Sequence, residues 1–558
     1  MDKMTSSLWR VLDSCPEGLQ HFVKSFLMGD TDCEACQKWR LRLLSAGIVS
    51  VAGAASWLYF IYPLAQRFML RGLPHPNTST WVRGDKDELE TYVQAGEKRL
   101  LFSRLRKTVG PNCFLRLPLQ FSPCAMTKNP FGLIFVTSDW SVVQELSRAS
   151  NQELVRNPEW VRAFELIPKS TIALSDEQVA QVHRRILATF TSDNALNASV
   201  KPLLQLLSRI KVGLAELGDR RAVDALQLVR LAMLDYWLSI LTGCDEPYCL
   251  RGSGHLAITP RTLEEGPFPY STAEALMTLT RFHLDNYERL FLPTDSREAN
   301  TYEYKAVTHQ YKTVLNAQPV ILSQLLNTAS SDALLPKLLA AKDSVSQRGL
   351  YVDEIKDNCA MLLLAADNTA VPIVWALYEL AKNPRLQDQM FKAVATQSID
   401  ISTLTSTADL IAHFGEIMNL FLETLRFYPV PAITRTAATS IALKAANITI
   451  PSGSLVIVDN FSLTRDQVLW GPNAEQFDPT RFVGRVWQQA PWVPFGFGPR
   501  KCLGPTSAIT HAVVFLSFII QHFSFSLDPH SVTPLPVEKM FLTPDKPVML
   551  RFTPRQPV

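Results

Sequence analysis

The stretch Phe495-Gly-Phe-Gly-Pro-Arg-Lys-Cys-Leu-Gly504 places one cysteine, Cys502, among glycines, a proline and two cations, ahead of an apolar helix-like run over 508–523. A thiolate that ligates a metal needs a loop able to approach closely, hence Gly498 and Gly504, and nearby donors and positive charge for the sulfur anion. Phe495, seven residues upstream, can shield a face of the sulfur. Arg500, two residues upstream, can clamp a carboxylate in a two-pronged hydrogen bond. This donor set suits a haem whose iron takes a Cys thiolate and whose propionates need cationic partners. The alternative is a buried structural cysteine in a glycine-rich turn.

Two further groups stand out. The apolar helical pattern over 351–381 contains Leu362-Leu-Leu-Ala-Ala-Asp-Asn-Thr-Ala370, where Asp367, Asn368 and Thr369 interrupt a core face. A threonine hydroxyl and its neighbouring amide can open the backbone ladder, hold water and relay protons. In Glu423-Thr-Leu-Arg426 the two charges lie three residues apart on one helical face and can pair. Phe421, Leu422, Leu425, Phe427 and Tyr428 surround them, so the pair is expected to be buried, and Pro429 to end the helix.

The order Phe495, Gly498, Arg500, Cys502, Gly504 resembles the haem-binding signature of the cytochromes P450, and Glu423-x-x-Arg426 matches the second signature of that family. The resemblance covers roughly residues 85–558, with its motifs in family order. It implies haem b, iron protoporphyrin IX, on Cys502, and a structural role for Glu423 and Arg426 with Arg481 of Phe477-Asp-Pro-Thr-Arg-Phe482 as third member. It also implies propionate partners at Arg435, after Pro429, and at His183, seven residues before Phe190; the alternative for each is a surface charge. The Trp often found four residues before His183 is Val179 here. In the central helix Ala365 and Thr369 fit the family pattern, Ala366 replaces Gly, and Asn368 replaces the acid. Asp367 lies one position early and would point about 100° away around a helix. Thr369, with Asn368 and ordered water, is therefore the expected proton-delivery group.

The elements that must position these residues are legible only in part. The 558 residues are 47% hydrophobic and 19% charged, enough for a large core and unlike a disordered chain. A net charge of +3 argues for no nucleic-acid partner. Nine irregularly spaced cysteines are no disulfide framework, and Cys33-Glu-Ala-Cys36 is a lone CxxC without the second pair a zinc site needs. Residues 1–42 balance six basic against six acidic residues, unlike a mitochondrial transit peptide, with a short amphipathic face at Leu19, Phe22, Val23, Phe26 and Leu27. Residues 43–65 run 23 positions without a charge, long enough to cross a hydrocarbon core of about 30 Å as a single transmembrane anchor. Residues 66–84, with Leu73-Pro-His-Pro-Asn77, read as a stiff linker. Strands are expected at 113–117, 132–137, 440–443 and 448–450, and helices at 138–149, 202–217, 221–242, 272–290 and onward from Asp409. By resemblance the fold is mainly α with a small β lobe: a P450 fold over 85–558 preceded by one N-terminal transmembrane helix.

The implied activity is monooxygenation, the insertion of one atom of dioxygen into an apolar, membrane-partitioned substrate, a sterol or fatty acid first. Electrons would come from NADPH through a separate NADPH-cytochrome P450 reductase, with cytochrome b5 as a second donor. The single anchor suggests the endoplasmic-reticulum membrane with the catalytic domain facing the cytosol, which would leave the sequons at Asn197 and Asn447 unglycosylated. Two alternatives stay open: a reductase-free isomerase or dehydratase of lipid hydroperoxides, motivated by Asn368, and a non-catalytic haem sensor.

Overall fold

A computed structural model of the chain describes residues 62–76, 85–116, 132–243, 329–395 and 407–556, apart from a few single positions within these spans. The N-terminal segment 1–42, nearly all of the apolar run 43–65 and the helix expected at 272–290 lie outside the described residues. The first described helix, α1 (Tyr62–Met69), starts inside the last four residues of that run and continues past its end. Helix therefore occupies residues 66–69, where the stiff linker is expected to begin. Nothing in Gln66-Arg67-Phe68-Met69 breaks a helix, and buried Gln66 accepts a hydrogen bond from Arg116 Nη1 at 3.3 Å. The turn comes at Gly72, whose φ of +79° suits glycine.

The β lobe is built on strands buried on both faces, β1 (Asn112–Arg116) and β2 (Leu133–Thr137), whose near-continuous apolar sequences fit that burial. Helix α2 (Lys98–Thr108) packs Leu101, Phe102 and Leu105 against them. Helix α3 (Trp140–Arg148) follows, its first turn capped by Asp139 accepting from Ser141 N. β3 (Leu154–Val155) ends this part. Helix α4 (Glu177–Ala188) is capped by Asp176, which accepts from the N–H groups of Gln178 and Val179.

Helix α5 (Asp193–Leu217) begins nine residues before the start expected at Pro202, with the proline inside it. The lost Pro202 N–H removes one ladder bond, but Leu196, Val200, Leu203 and Leu207 are buried along one face across it, and their burial outweighs the defect. β4 (Val223–Asp224) takes the residues expected to open the next helix, so α6 runs Ala225–Thr242, capped by Asp224 and closed by left-handed Gly243. The central helix α7 (Val352–Lys382) passes uninterrupted through Pro372.

Helix α8 (Gly415–Phe427) stops just before Pro429. β5 (Ala432–Ala437), the hairpin β6 (Ile441–Leu443) and β7 (Ile448–Ile450), and β8 (Leu455–Asp459) follow. β2 and β8 pair in parallel from Ile134 opposite Leu455, so sequence some 320 residues downstream completes the lobe; the sheet order is β1-β2-β8-β5-β3. Helix α9 (Pro505–His522) and β9 (Phe523–Leu527) close the core, β9 pairing with the C-terminal strand Met549–Pro554.

One large core joins α5, α6, α7, α8 and α9 around Trp375, Phe421, Phe414 and Leu516; another lies under the sheet. Among the described residues α6 and α7 are long and apolar enough to cross a membrane, but both are buried chiefly against neighbouring helices, as core helices are.

Candidate active site

The loop before α9 is shaped by two left-handed glycines, Gly496 (φ +77°) and Gly498 (φ +67°), and by the 3-10 turn Gly498–Arg500. Cys502 N donates to Phe495 O at 2.8 Å and folds the loop back, which presents the sulfur at the N-terminus of α9. Gly504, the N-cap, points its N–H at Cys502 Sγ, 3.3 Å away. Burial pushes the Cys502 thiol up, while the Gly504 N–H, the Arg184 guanidinium and the Leu503 N–H pull it down. The cysteine is nevertheless exposed to solvent. Phe495 is half-buried and meets the edge of Trp487 at 5.6 Å.

Three guanidiniums converge on this loop. Arg500 is buried; its Nε donates to Glu177 Oε2 at 2.9 Å, its Nη1 to Thr171 O at 3.2 Å, and its Nη2 to Leu174 O. Arg184 on α4 donates to Lys501 O at 2.8 Å. Burial lowers the pKa of both, and Glu177 opposes this for both. Arg435 on β5 is buried, donates to Phe497 O at 3.3 Å and lies 5.1 Å over the Phe497 ring.

His183 is placed differently from the propionate-facing position read from sequence. It is fully buried against α7, with Nδ1 3.2 Å from Asn358 Nδ2 and Nε2 3.3 Å from Glu354 Oε1. Its neighbour Arg184 is the cation of this helix that hydrogen-bonds the cysteine loop, and Glu177 at the helix start meets Arg500. Spacing to Phe190 pointed at His183; a helical step of 100° separates the two, and only packing decides which of them faces the loop.

On α7, Thr369 is buried and its Oγ1 donates weakly to Ala365 O, at 3.3 Å. Asn368 is exposed although most of the helix around it is buried. Asp367 points the other way and forms a buried ion pair with Arg230 of α6. No hydrogen bond among the described residues joins Thr369 or Asn368 to the cysteine loop.

Glu423 and Arg426 of α8 are wholly buried and bidentate, Nε to Oε2 at 2.8 Å and Nη2 to Oε1 at 2.7 Å. Arg426 also donates to the carbonyls of Thr464, Ala474 and Gln476, so all five of its N–H donors are used. Glu423 Oε1 accepts the Asp478 N–H at 2.8 Å and lies 3.6 Å from Arg481 Nε. Arg481 holds Trp470 O and Asn473 in turn.

The donor set fits a haem. Among the described residues no three His, Cys, Asp or Glu side chains gather as a bare metal ion would require. One thiol on a loop that carries Arg500 and whose carbonyls are held by Arg184 and Arg435 suits a metal that arrives inside a macrocycle, whose carboxylates then meet the cations. A metal cation beside Cys502 would also reverse the balance that keeps its proton on.

Comparison with known proteins agrees with this chemistry. Residues 123–552 match the family model described as Cytochrome P450. Similar curated proteins include Cytochrome P450 709B3 of Arabidopsis thaliana, 29% identical over 274 residues, which are 47% of this chain and 51% of that protein. Secologanin synthase 1 of Catharanthus roseus is 26% identical over 292 residues, 49% and 53% of the two chains. 11-oxo-beta-amyrin 30-oxidase of Glycyrrhiza uralensis is 30% identical over 190 residues, 32% and 35% of the two chains. The chain thus spans between about a third and a half of the length of these relatives.

Proposed function

The chain belongs to the cytochrome P450 family, and from that premise we propose that it is a membrane-anchored haem-thiolate monooxygenase acting on an apolar substrate. The observation that carries the reading is the Cys502 loop, with its sulfur at a helix N-terminus and Arg500, Arg184 and Arg435 gathered at the same loop. Cys502 would hold haem b through its thiolate, and the bound haem would supply the dioxygen-activation chemistry.

The protein's own contribution is binding, orientation and proton handling. Cys502 is the metal ligand, and Phe495, Gly498 and Gly504 shape its approach. Arg500, Arg435 and Arg184 neutralise the propionates; Arg184 takes the role that sequence spacing gave to His183. Glu423, Arg426 and Arg481 hold the loop between Thr464 and Asp478 to α8. The Thr369 hydroxyl holds a proton-bearing water on α7, and the Asn368 amide orients that water but cannot serve as an acid. The substrate is sterol- or fatty-acid-like, and the relative named for 11-oxo-beta-amyrin oxidation supports an apolar one. Electrons arrive from NADPH through a separate reductase, with cytochrome b5 as a second donor, on the cytosolic face of the endoplasmic reticulum.

A second reading has an observation in its favour. The carboxylate nearest to the family's acid position, Asp367, is held by Arg230, so no acid stands beside Thr369 on that face of α7. A hydroperoxide isomerase or dehydratase would need none. The test is product formation from candidate lipids with isotopically labelled dioxygen, NADPH and a diflavin reductase, beside a reductase-free arm given lipid hydroperoxides. Label in product that disappears in Cys502→Ser supports the monooxygenase. Turnover only in the hydroperoxide arm supports the isomerase and overturns the first reading.

A further inference from the structure

Asn358 lies on α7 with no exposed surface. Its amide orientation is dictated by backbone groups of opposite kind. Oδ1 accepts the Thr171 N–H at 3.0 Å, and Nδ2 donates to the Glu354 carbonyl at 2.7 Å; neither backbone group can exchange roles. Two valences remain. Oδ1 also accepts from Thr171 Oγ1 at 2.9 Å, and the second Nδ2 hydrogen meets His183 Nδ1 at 3.2 Å. All four hydrogen-bonding positions of the amide are therefore occupied.

The His183 tautomer follows. An amide nitrogen has no lone pair to offer, so Nδ1 must accept and the imidazole proton sits on Nε2. Nε2 faces Glu354 Oε1 at 3.3 Å without the alignment of a hydrogen bond. Burial lowers the His183 pKa, Arg348 and Arg500 act in the same direction, and Glu354 opposes them. The same Thr171 that binds Asn358 through its N–H gives its carbonyl to Arg500, and His183 immediately precedes Arg184 in α4. One buried amide on the central helix thus touches both the segment whose carbonyl holds Arg500 and the helix that carries Arg184 to the cysteine loop.

We propose that Asn358 is a positioning residue for the Cys502 loop, holding His183 as a neutral hydrogen-bond acceptor and tying Thr171 and α4 to α7 so that Arg500 and Arg184 keep their places. This rests on the haem reading above. It assigns His183 a role opposite to that of a charged propionate partner, and the two roles respond oppositely to substitution.

The test uses the full-length haem-loaded protein and follows haem transfer to excess apomyoglobin between about pH 5.5 and 8.5, spanning the imidazole range. His183→Asn keeps a neutral acceptor and is expected to retain haem within about threefold of wild type. His183→Arg forces a donor against a donor and should lose haem about tenfold faster, the effect of about 1.4 kcal/mol. In Asn358→Asp both donors are gone, and His183 must be protonated to satisfy the new carboxylate and Glu354. Its raised pKa stabilises the site at low pH, so haem loss should quicken as pH rises, more steeply than in the wild type. The opposite order, with His183→Arg retaining haem and His183→Asn losing it, overturns the proposal. So does a flat profile for Asn358→Asp; if that variant does not fold, the His183 pair decides alone. Wild type that forms no thiolate-type carbon monoxide band would sink the haem reading instead, a separate result.

Discussion

Replacing Glu423 by Gln removes one charge from a site with no water to compensate it. Both Glu423 and Arg426 have no exposed surface, so the guanidinium of the variant remains buried with three carbonyls and has lost the carboxylate that is its ion-pair partner among the described residues. Gln has nearly the shape of Glu, so packing is preserved and the loss is electrostatic. If the Gln oxygen stays on Asp478 N–H and Arg426 Nη2, its NH2 faces Arg426 Nε, donor against donor. Turning it over only transfers the conflict to the other two donors. A charge-assisted bond contributes about 1.5–3 kcal/mol, and an uncompensated buried partner raises the cost of breaking such a pair to about 3–5 kcal/mol. Against a typical stability of about 5–15 kcal/mol that is a large share. Equilibrium urea unfolding, followed by far-ultraviolet circular dichroism, measures it. Arg426→Met should cost a similar amount, and the double variant less than the sum by about 2 kcal/mol, because neither partner is then left unpaired. A cost for Glu423→Gln below about 1 kcal/mol, or strict additivity, would refute the argument that this pair is a desolvated unit.

Other outcomes follow from single contacts. Thr369→Ala loses only a 3.3 Å back-bond to Ala365 O, so stability should fall by less than about 1 kcal/mol, while NADPH consumption separates from product and peroxide release rises; tight coupling would assign the relay elsewhere. Asp459, which caps Ser462 N at 3.1 Å, has its carboxyl pushed up to about 6, first by burial and then with help from Glu538. Because the folded group holds its proton more tightly than the unfolded one, its contribution is full in acid and fades as pH rises through about 6. Between about pH 4 and 7 the wild type should lose roughly 2–3 kcal/mol on this account, and Asp459→Asn, which keeps the cap oxygen, should show a flatter pH dependence of stability. An identical slope in the variant would mean that Asp459 is charged throughout.

Some of the site is written in consecutive residues and was legible for that reason. The Cys502 loop needs left-handed positions, a ligand and a helix start within ten residues, and glycine, cysteine and Gly504-Pro505 supply them locally. Glu423 and Arg426 meet because three residues make nearly one turn, and the hairpin of β6 and β7 follows from its own turn. What packing decided was the partner on the far side of each helix. Asp367 turns from Asn368 by the helical period, but Arg230, 137 residues earlier, was invisible as its ion-pair partner. Glu177 and Thr171, which hold Arg500, lie more than 300 positions before it. Spacing along α4 could not choose between His183 and Arg184, since both orientations satisfy the sequence. Helical period fixes the angle between neighbouring side chains; only the burial of whole faces against other helices sets which of them meets the thiol.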